Sequence, residues 1–339
     1  MARVTVIIPN YNGLRFLDPC MTALSEQSYR DFCVLIVDNG STDGSVEKLH
    51  EYEDRGLARV IFLPENTGFS GAVNAGIEAA DSELIVLLNN DTKADKDYLK
   101  AMVSVFDSDS NGNVGAVSPL MINMQDSSLI DSAGDGYSIL GWAFQRGVGR
   151  NVELPKFSKR TPVYSACAGA AMYSKRALDE IKKADGWFDP MHFAYLEDVD
   201  VSWRLRINGY GIYFEPASRV LHVGSGTSGS KYNDFKVSLA ARNNVYLNVK
   251  NMPLLMLLIN LPFILLGVII KQLFFIKRGF GGAFFKGFME GIRNFGKAYK
   301  NRVRFRLSNL FNYIYLELFM IVDTFSYVGD FVGRKLFKK

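Results

Sequence analysis

Residues 4–13 read VTVIIPNYNG: five apolar or β-branched residues, then a proline and four residues of turn chemistry. Such a run is a buried strand that stops in a polar loop, because β-branched side chains suit a pleated surface and Pro9 cannot donate to a ladder. Working outward, similar runs recur at residues 33–37, 59–63 and 84–88. Segments of helical period fill the gaps, near residues 14–27, 45–54, 70–80 and 95–106. Short strands alternating with longer helices predict βαβ units and an α/β fold with a parallel sheet. Ligands of such sheets gather beyond the carboxyl ends of the strands. The residues there are Pro9-Asn10-Tyr11-Asn12-Gly13, Asp38-Asn39-Gly40-Ser41-Thr42-Asp43, Glu65-Asn66-Thr67-Gly68-Phe69 and Asn89-Asn90-Asp91-Thr92. No GxGxxG follows the first strand and no GxxxxGK[ST] occurs, so neither dinucleotide nor P-loop chemistry is expected.

Further along, residues 114–173 are irregular and Gly-rich, with short strands expected at 115–120 and 163–173 as a mixed extension of the sheet carrying substrate loops. A helix is predicted over 196–208 with Gly209 as its C-cap. A strand at 212–214, the string Arg219-Val220-Leu221-His222, a flexible GSGTSGS at 224–230 and a helix over 234–250 follow.

The chain has 339 residues, a net charge of +4 and 48% hydrophobic residues, which excludes disorder, collagen and a disulfide-stapled miniprotein. Cys20, Cys33 and Cys167 have no CxxC spacing, so they read as free or buried thiols in a reducing compartment and not as a metal site.

Six strings, VTVIIPNYNG, LIVDNGSTDGS, NTGFSGAVNAGI, LLNNDT, YLEDVDVSWRLRINGYGI and RVLHVGSGTS, occur in order. Together they resemble the inverting family-2 glycosyltransferases with the GT-A fold, a likeness that covers roughly residues 3–250. Within that family, NNDT, CAGAAM (167–172) and EDVDVSWR look most like bacterial rhamnosyltransferases of cell-surface polysaccharide assembly. The resemblance implies a nucleotide-sugar donor, a divalent cation (Mg2+ or Mn2+) and direct displacement without a covalent enzyme intermediate.

It also assigns residues. Asp38 would accept a hydrogen bond from the ring N–H of uracil or thymine, with an Asx turn as the alternative. Asp43 stands evenly between a donor contact and an N-cap. Pro9, Tyr11, Asn66, Asn89 and Asn90 line the donor nucleotide. Asn89-Asn90-Asp91 replaces the family's DxD, with Asn89 in place of the first acid, so Asp91 is the direct metal ligand; the alternative is a polar turn. His222 is balanced between a metal ligand and a structural histidine. Of Glu197, Asp198 and Asp200, which also suit a helix N-terminus, the family's general base is carried over to Asp198. Arg242 is a bidentate phosphate contact or a solvated helix charge. The GSGTSGS stretch is a donor-covering loop or a linker. Trp142 and Trp203 are expected in the core, and His50 and His192 receive no role.

Charge divides the chain. Residues 271–339 hold 14 Lys/Arg, 4 Asp/Glu and 17 of the 44 aromatic residues, whereas the first 270 carry a net charge of −6. Residues 254–270, LLMLLINLPFILLGVII, have no charge, and 310–328 is a second apolar stretch broken by Glu317 and Asp323. Basic charge mixed with aromatic rings suits an anionic membrane surface better than nucleic acid. These readings give a catalytic domain over 1–250 and a helical membrane-association region over 251–339, spanning or interfacial. With no secretory segment before residue 4, the expected place is the cytoplasmic face of the cell membrane. The expected partners are a dTDP- or UDP-sugar, rhamnose first and galactofuranose or another hexose second, and a lipid-linked glycan acceptor. A non-catalytic nucleotide-sugar-binding membrane adaptor and a soluble nucleotidyltransferase are the rivals, and a homo-oligomer is left open.

Overall fold

The computed structural model describes residues 2–224 and 232–336. Its elements are β1 (Val4–Asn10), α1 (Leu14–Ser25), β2 (Phe32–Asp38), α2 (Ser45–Asp54), β3 (Arg59–Phe62), α3 (Gly68–Glu78), β4 (Leu84–Leu87), β5 (Thr92–Ala94), α4 (Tyr98–Asp107), β6 (Val114–Asn123), β7 (Ile130–Ser132), β8 (Asp135–Tyr137), β9 (Ala143–Gln145), β10 (Thr161–Pro162), β11 (Met172–Ser174) and α5 (Lys175–Ile181). Then come α6 (Glu197–Ile207), β12 (Gly211–His222), α7 (Asp234–Asn251), α8 (Leu254–Ile276), α9 (Gly281–Arg293), α10 (Phe295–Lys300) and α11 (Leu310–Leu336).

Strands β4, β1, β2 and β3 pair in parallel, as the alternation predicts. Both faces of β1 are covered: Val4, Val6 and Ile8 pack with Leu17 and Leu49, while Ile7 packs with Val73 and Ile77. A strand buried on both sides needs an unbroken apolar run, which is what residues 4–8 supply. Beyond β4 the sheet becomes mixed, in the order β10-β12-β6-β11-β4-β1-β2-β3. The α/β class and the mixed extension both hold.

Two expected strands differ. Residues 163–173 do not form one strand: β10 ends at Pro162, β11 starts at Met172, and 163–171 form a buried loop. Its small residues allow a close approach, since a Cβ on Gly169 would lie 3.1 Å from the Asn89 amide nitrogen. Conversely, 212–214 and 219–222 belong to one strand, β12, which continues through a register shift between Glu215 and Arg219. Pro216 fits there because a bulge leaves backbone groups outside the ladder, and the Glu215 carboxylate accepts the Ala217 N–H at 3.0 Å. From Ser225 on, the GSGTSGS stretch lies outside the described residues.

The C-terminal helices fold back onto this body. Tyr313, Leu316 and Met320 of α11 share a core with Tyr137, Tyr164 and Trp203. Trp203 and Trp142 are buried, as expected. Helix α8 is 23 residues long with mean hydropathy 2.5, and only 17% of its most apolar window is buried.

Helix α7 joins α6 through charge. Lys250 Nζ lies 2.5 Å from Asp189 and 2.9 Å from Asp200, which also holds Arg204 at 2.9 Å. His192 is fully buried in the same region, with neither ring nitrogen hydrogen-bonded. Burial lowers its pKa to about 4; Asp200 and Asp189 oppose that shift, and Lys250 and Arg204 add to it. The unfolded chain takes up this proton near 6.5, so stability falls as the pH drops from 6.5 towards 4, by on the order of 3 kcal/mol from this residue. Chemical denaturation of wild type and His192→Leu across that window is expected to give the variant a visibly flatter acid side. Parallel profiles would show that His192 does not carry the slope.

Candidate active site

The carboxyl ends of β1, β2 and β4 meet through a chain of buried amides. The Asn90 side chain donates to Asn10 at 2.7 Å, and Asn10 donates to Asp38 at 2.9 Å. The second Asp38 oxygen accepts the Ser41 N–H at 3.0 Å. Asp38 is 1% exposed, so the residue expected to meet the donor base forms the floor of the loops instead of their surface. The cause is mutual satisfaction of polar groups that water does not reach. Asn90 is likewise buried, whereas Tyr11 and Asn66 are exposed, Pro9 half-buried, and all three stand on the rim.

Sheet register builds a second group. Antiparallel pairing of β12 with β5 sets His222 opposite Thr92, and His222 Nε2 lies 3.4 Å from Asp91. Its Nδ1 lies 2.8 Å from Asp131, on β7. Burial opposes charge on this imidazole, but the two flanking carboxylates outweigh it and raise the pKa to about 9. The donor set, a carboxylate oxygen and an imidazole oriented by a second carboxylate, fits a hard or borderline divalent ion that shares its remaining positions with phosphate oxygens. Lys236, in the first turn of α7 and 8% exposed, lies where burial lowers its pKa and the Asp91 charge opposes that lowering. A cation in the first turn of a helix is disfavoured by the dipole, and a buried one more so.

The third group surrounds Asp198, the second residue of α6. One oxygen accepts the Val199 N–H at 2.8 Å and the other the Ala168 N–H at 3.1 Å. The neighbouring residue, Gly169, accepts the Asn89 N–H at 2.8 Å. One short loop therefore ties the start of α6 to the end of β4. Ligand atoms of Asp135, Cys167 and Asp198 lie within 4.8 Å of one another. Burial raises the pKa of Asp198 against its backbone donors. Burial and the Asp198 charge push Asp135 well above the usual range, and burial does the same for the Cys167 thiol.

Comparisons with known proteins decide the family. The model for "Glycosyl transferase family 2" matches residues 5–182, more than half of the chain. The chain belongs to glycosyl transferase family 2. It is 34% identical over 99 residues to "Putative teichuronic acid biosynthesis glycosyltransferase TuaG" of Bacillus subtilis, covering 29% of this chain and 39% of that protein. It is 23% identical over 221 residues to the "Poly-beta-1,6-N-acetyl-D-glucosamine synthase" of Staphylococcus aureus, covering 63% of this chain and 48% of that one. The matches span less than half the length of these curated relatives. Among solved structures, GalNAc-T7 with UDP, GalNAc and Mn2+ superposes with a TM-score of 0.59 at 17% identity, over 73% of this chain and 47% of that one. S. aureus TarS 1–349 in complex with UDP-GlcNAc gives 0.52 at 15% identity, over 93% and 79%. At these identities the likeness establishes the GT-A fold.

The family-2 motifs lead to Asp91, His222 and Asp198, but Arg242 requires a correction. Its Nη2 donates to the carbonyls of Met191 and His192, its Nη1 to Glu290 and its Nε to Asn243. It is therefore no solvated charge: four of its bonds go to the backbone of residues 191–192 and to two side chains of the protein. Asp43 is corrected too: the N-cap of α2 is Gly44, in the left-handed region. Asp43 accepts the N–H groups of Leu14 and Ser45, the first residues of α1 and α2. Asp131, Asp135 and Lys236 were missed by sequence reasoning, because no motif marks them and only strand register and helix packing bring them near the named residues. Replacing Asp43 by Ala is expected to cost about 1 kcal/mol, since two helix N-termini lose an acceptor at a partly exposed position. The urea midpoint measures this; an unchanged midpoint would show that water replaces the carboxylate.

Proposed function

We propose that this family-2 protein is an inverting glycosyltransferase of cell-surface polysaccharide assembly that moves a sugar from a UDP- or dTDP-sugar to a lipid-linked glycan. L-rhamnose is the first choice of sugar, and galactofuranose or another hexose the second. The observation that carries the reading is Asp198, a half-buried carboxylate tied through residues 168 and 169 to the strand end that bears Asn89, Asn90 and Asp91. A teichuronic acid relative and a poly-N-acetylglucosamine synthase relative support the polysaccharide setting.

Pro9, Tyr11 and Asn66 receive the nucleoside at the rim, with Asp38 and Asn90 beneath it and Asn89 facing the sugar side. Asp91 and His222 hold a divalent cation, which supplies Lewis-acid stabilisation of the leaving diphosphate. Solved neighbours with bound Mn2+, such as GalNAc-T7, support that choice of ion, with Mg2+ as the other candidate. Lys236 adds positive charge on the same side. Asp198 takes the proton of the acceptor hydroxyl as its oxygen bonds to the anomeric carbon from the face opposite the diphosphate. The bond to the diphosphate breaks in the same step, and the nucleoside diphosphate leaves with the electron pair.

Asp198 must be ionised to act, and its pKa lies above the ordinary 3.8. The acid limb of kcat/KM is therefore expected at higher pH than for a solvated aspartate. Nucleoside diphosphate release from a panel of UDP- and dTDP-sugars, with Mg2+ or Mn2+ and a membrane lipid extract, tests the whole reading. Chelator-sensitive release from one donor, lost about 100-fold or more in Asp198→Asn with UDP or dTDP binding retained, is expected. Undiminished turnover in Asp198→Asn would remove it as the base.

The same proposal places the protein on the cytoplasmic face of the membrane. Helix α8 exposes Leu255, Leu258, Ile259, Leu266, Ile269 and Leu273, each 49–71% accessible, along a rod of about 35 Å. Wild type is expected to float with phosphatidylglycerol vesicles, and a variant with these six residues changed to Ser to stay below with its melting temperature little altered. Wild type that fails to float would overturn the membrane assignment.

A further inference from the structure

Three of the four non-glycine residues with positive φ among the described residues lie immediately before Asp198: Phe193 (φ 63°), Tyr195 (φ 69°) and Leu196 (φ 68°). Left-handed backbone at bulky residues persists only where surrounding contacts over-determine it. Here the Phe193 carbonyl accepts the Ser70 N–H at 3.1 Å, and most of the remaining carbonyls are gathered by one side chain. Asn243, fully buried on α7, donates through Nδ2 to the carbonyls of His192 (2.8 Å), Ala194 (2.9 Å) and Tyr195 (2.8 Å). Its Oδ1 accepts from Arg242 Nε at 3.1 Å, which fixes the amide with its nitrogen towards the carbonyls. Arg242 adds bonds to the Met191 and His192 carbonyls. One helical face therefore grips the whole approach to α6, and Lys250 and Asn251 extend the grip to Asp200.

We propose that Asn243, oriented by Arg242, is a positioning residue for the transfer reaction: by drawing three carbonyls of residues 192–195 onto one amide, it fixes where α6 begins and hence where the Asp198 carboxylate stands. This rests on Asp198 as the base. Asn243 touches neither donor nor acceptor, so it acts only through the placement of Asp198. A reacting group displaced by about 1 Å loses on the order of 100-fold in rate. Nucleotide binding, which depends on the loops after β1, β2 and β3, does not use these carbonyls.

The test compares wild type, Asn243→Ala, Asp198→Asn and the double variant as full-length protein. It reads single-turnover sugar transfer with the donor found in the release assay, and UDP or dTDP affinity by calorimetry. Asn243→Ala is expected to lower the transfer rate about 100-fold with the nucleotide Kd within about threefold. In the Asp198→Asn background the same substitution is expected to be silent, because the group it positions is already disabled. Equal losses in both backgrounds, or transfer and nucleotide binding falling together, would overturn the proposal in favour of a purely structural amide. If Asn243→Ala does not fold, Arg242→Met, at a half-buried position, replaces it: an intermediate loss of rate with nucleotide Kd retained supports the proposal, and wild-type transfer overturns it. Full transfer by Asp198→Asn would instead refute the base assignment, so the two failures are distinguishable.

Discussion

The Lys250 ammonium, 2% exposed, sits between the carboxylates of Asp189 and Asp200, and Asp200 in turn holds Arg204 and Asn251. A cation at that depth is tolerable only when paired and hydrogen-bonded, and its carboxylates are tolerable only while it stays. The consequence is geometric. Asp200 lies on the first turn of α6, two residues after Asp198, so the network that neutralises Lys250 also anchors the helix that carries Asp198, the proposed base. Helix α7 cannot shift along its axis without stranding charge, and the carbonyls that Asn243 collects lie along the same contact. The strained turn before α6 is therefore braced at Asp189 on one side and at Asp200 on the other.

Environment sorts the carboxylates into roles. Asp38 is enclosed by Asn10 and the Ser41 amide and behaves as part of the frame. Asp91 faces an imidazole and lies near a lysine ammonium, a cationic setting that suits an incoming diphosphate. Asp198 has no cation among the causes of its shift: burial and its own backbone donors set its pKa, and it shares its surroundings with Asp135, whose carboxyl burial and the Asp198 charge push well above the usual range. A carboxylate kept from cations and raised in pKa is suited to accept a proton, whereas one beside cations is suited to hold metal or phosphate. The same pattern of acids pushed apart by their surroundings identifies acid and base pairs generally.

Much of this was legible in the sequence. The runs at residues 4–8, 33–37, 59–63 and 84–88 each mark a strand, with only Leu63 and Leu88 falling just past the ends of β3 and β4; β1 and β4 are buried on both faces, which leaves no room for polar residues, whereas β3 is an exposed edge. Asp91 and His222 were named from the resemblance to the family, and the structure sets them side by side because His222 ends β12, which pairs with β5 directly after Asp91. What the sequence could not convey was pairing at long range. Asp131 precedes His222 by 91 residues and meets it only because β7 pairs with β6 and β6 with β12. The loop at 163–171 read as a strand because its residues are small and apolar; only the structure reveals that smallness serves close approach to Asn89 and Asp198. The partners of Arg242 escaped notice for a related reason: two are backbone carbonyls, which no side-chain motif records, and a third, Glu290, lies 48 residues away.

The division expected at residue 250 does not separate the packing. It falls between Lys250 and Asn251, two side chains that bond the same Asp200 carboxylate. Beyond it, Asn260 on α8 reaches Glu317 on α11, and the Asp323 carboxylate accepts the Tyr137 N–H, at 2.8 and 3.0 Å. These polar contacts lie on the inner faces of helices whose outer faces expose Leu255, Phe311 and Phe325. A helix that spends its polar groups inward and its apolar groups outward satisfies the catalytic body with the first set and leaves the second for an apolar surface. Only Met252 and Pro253 separate α7 from α8, so the helix that offers that outer face follows almost directly on the one that holds the approach to Asp198. The segment that carries Asp198 is thus braced by the helix leading directly into the apolar one.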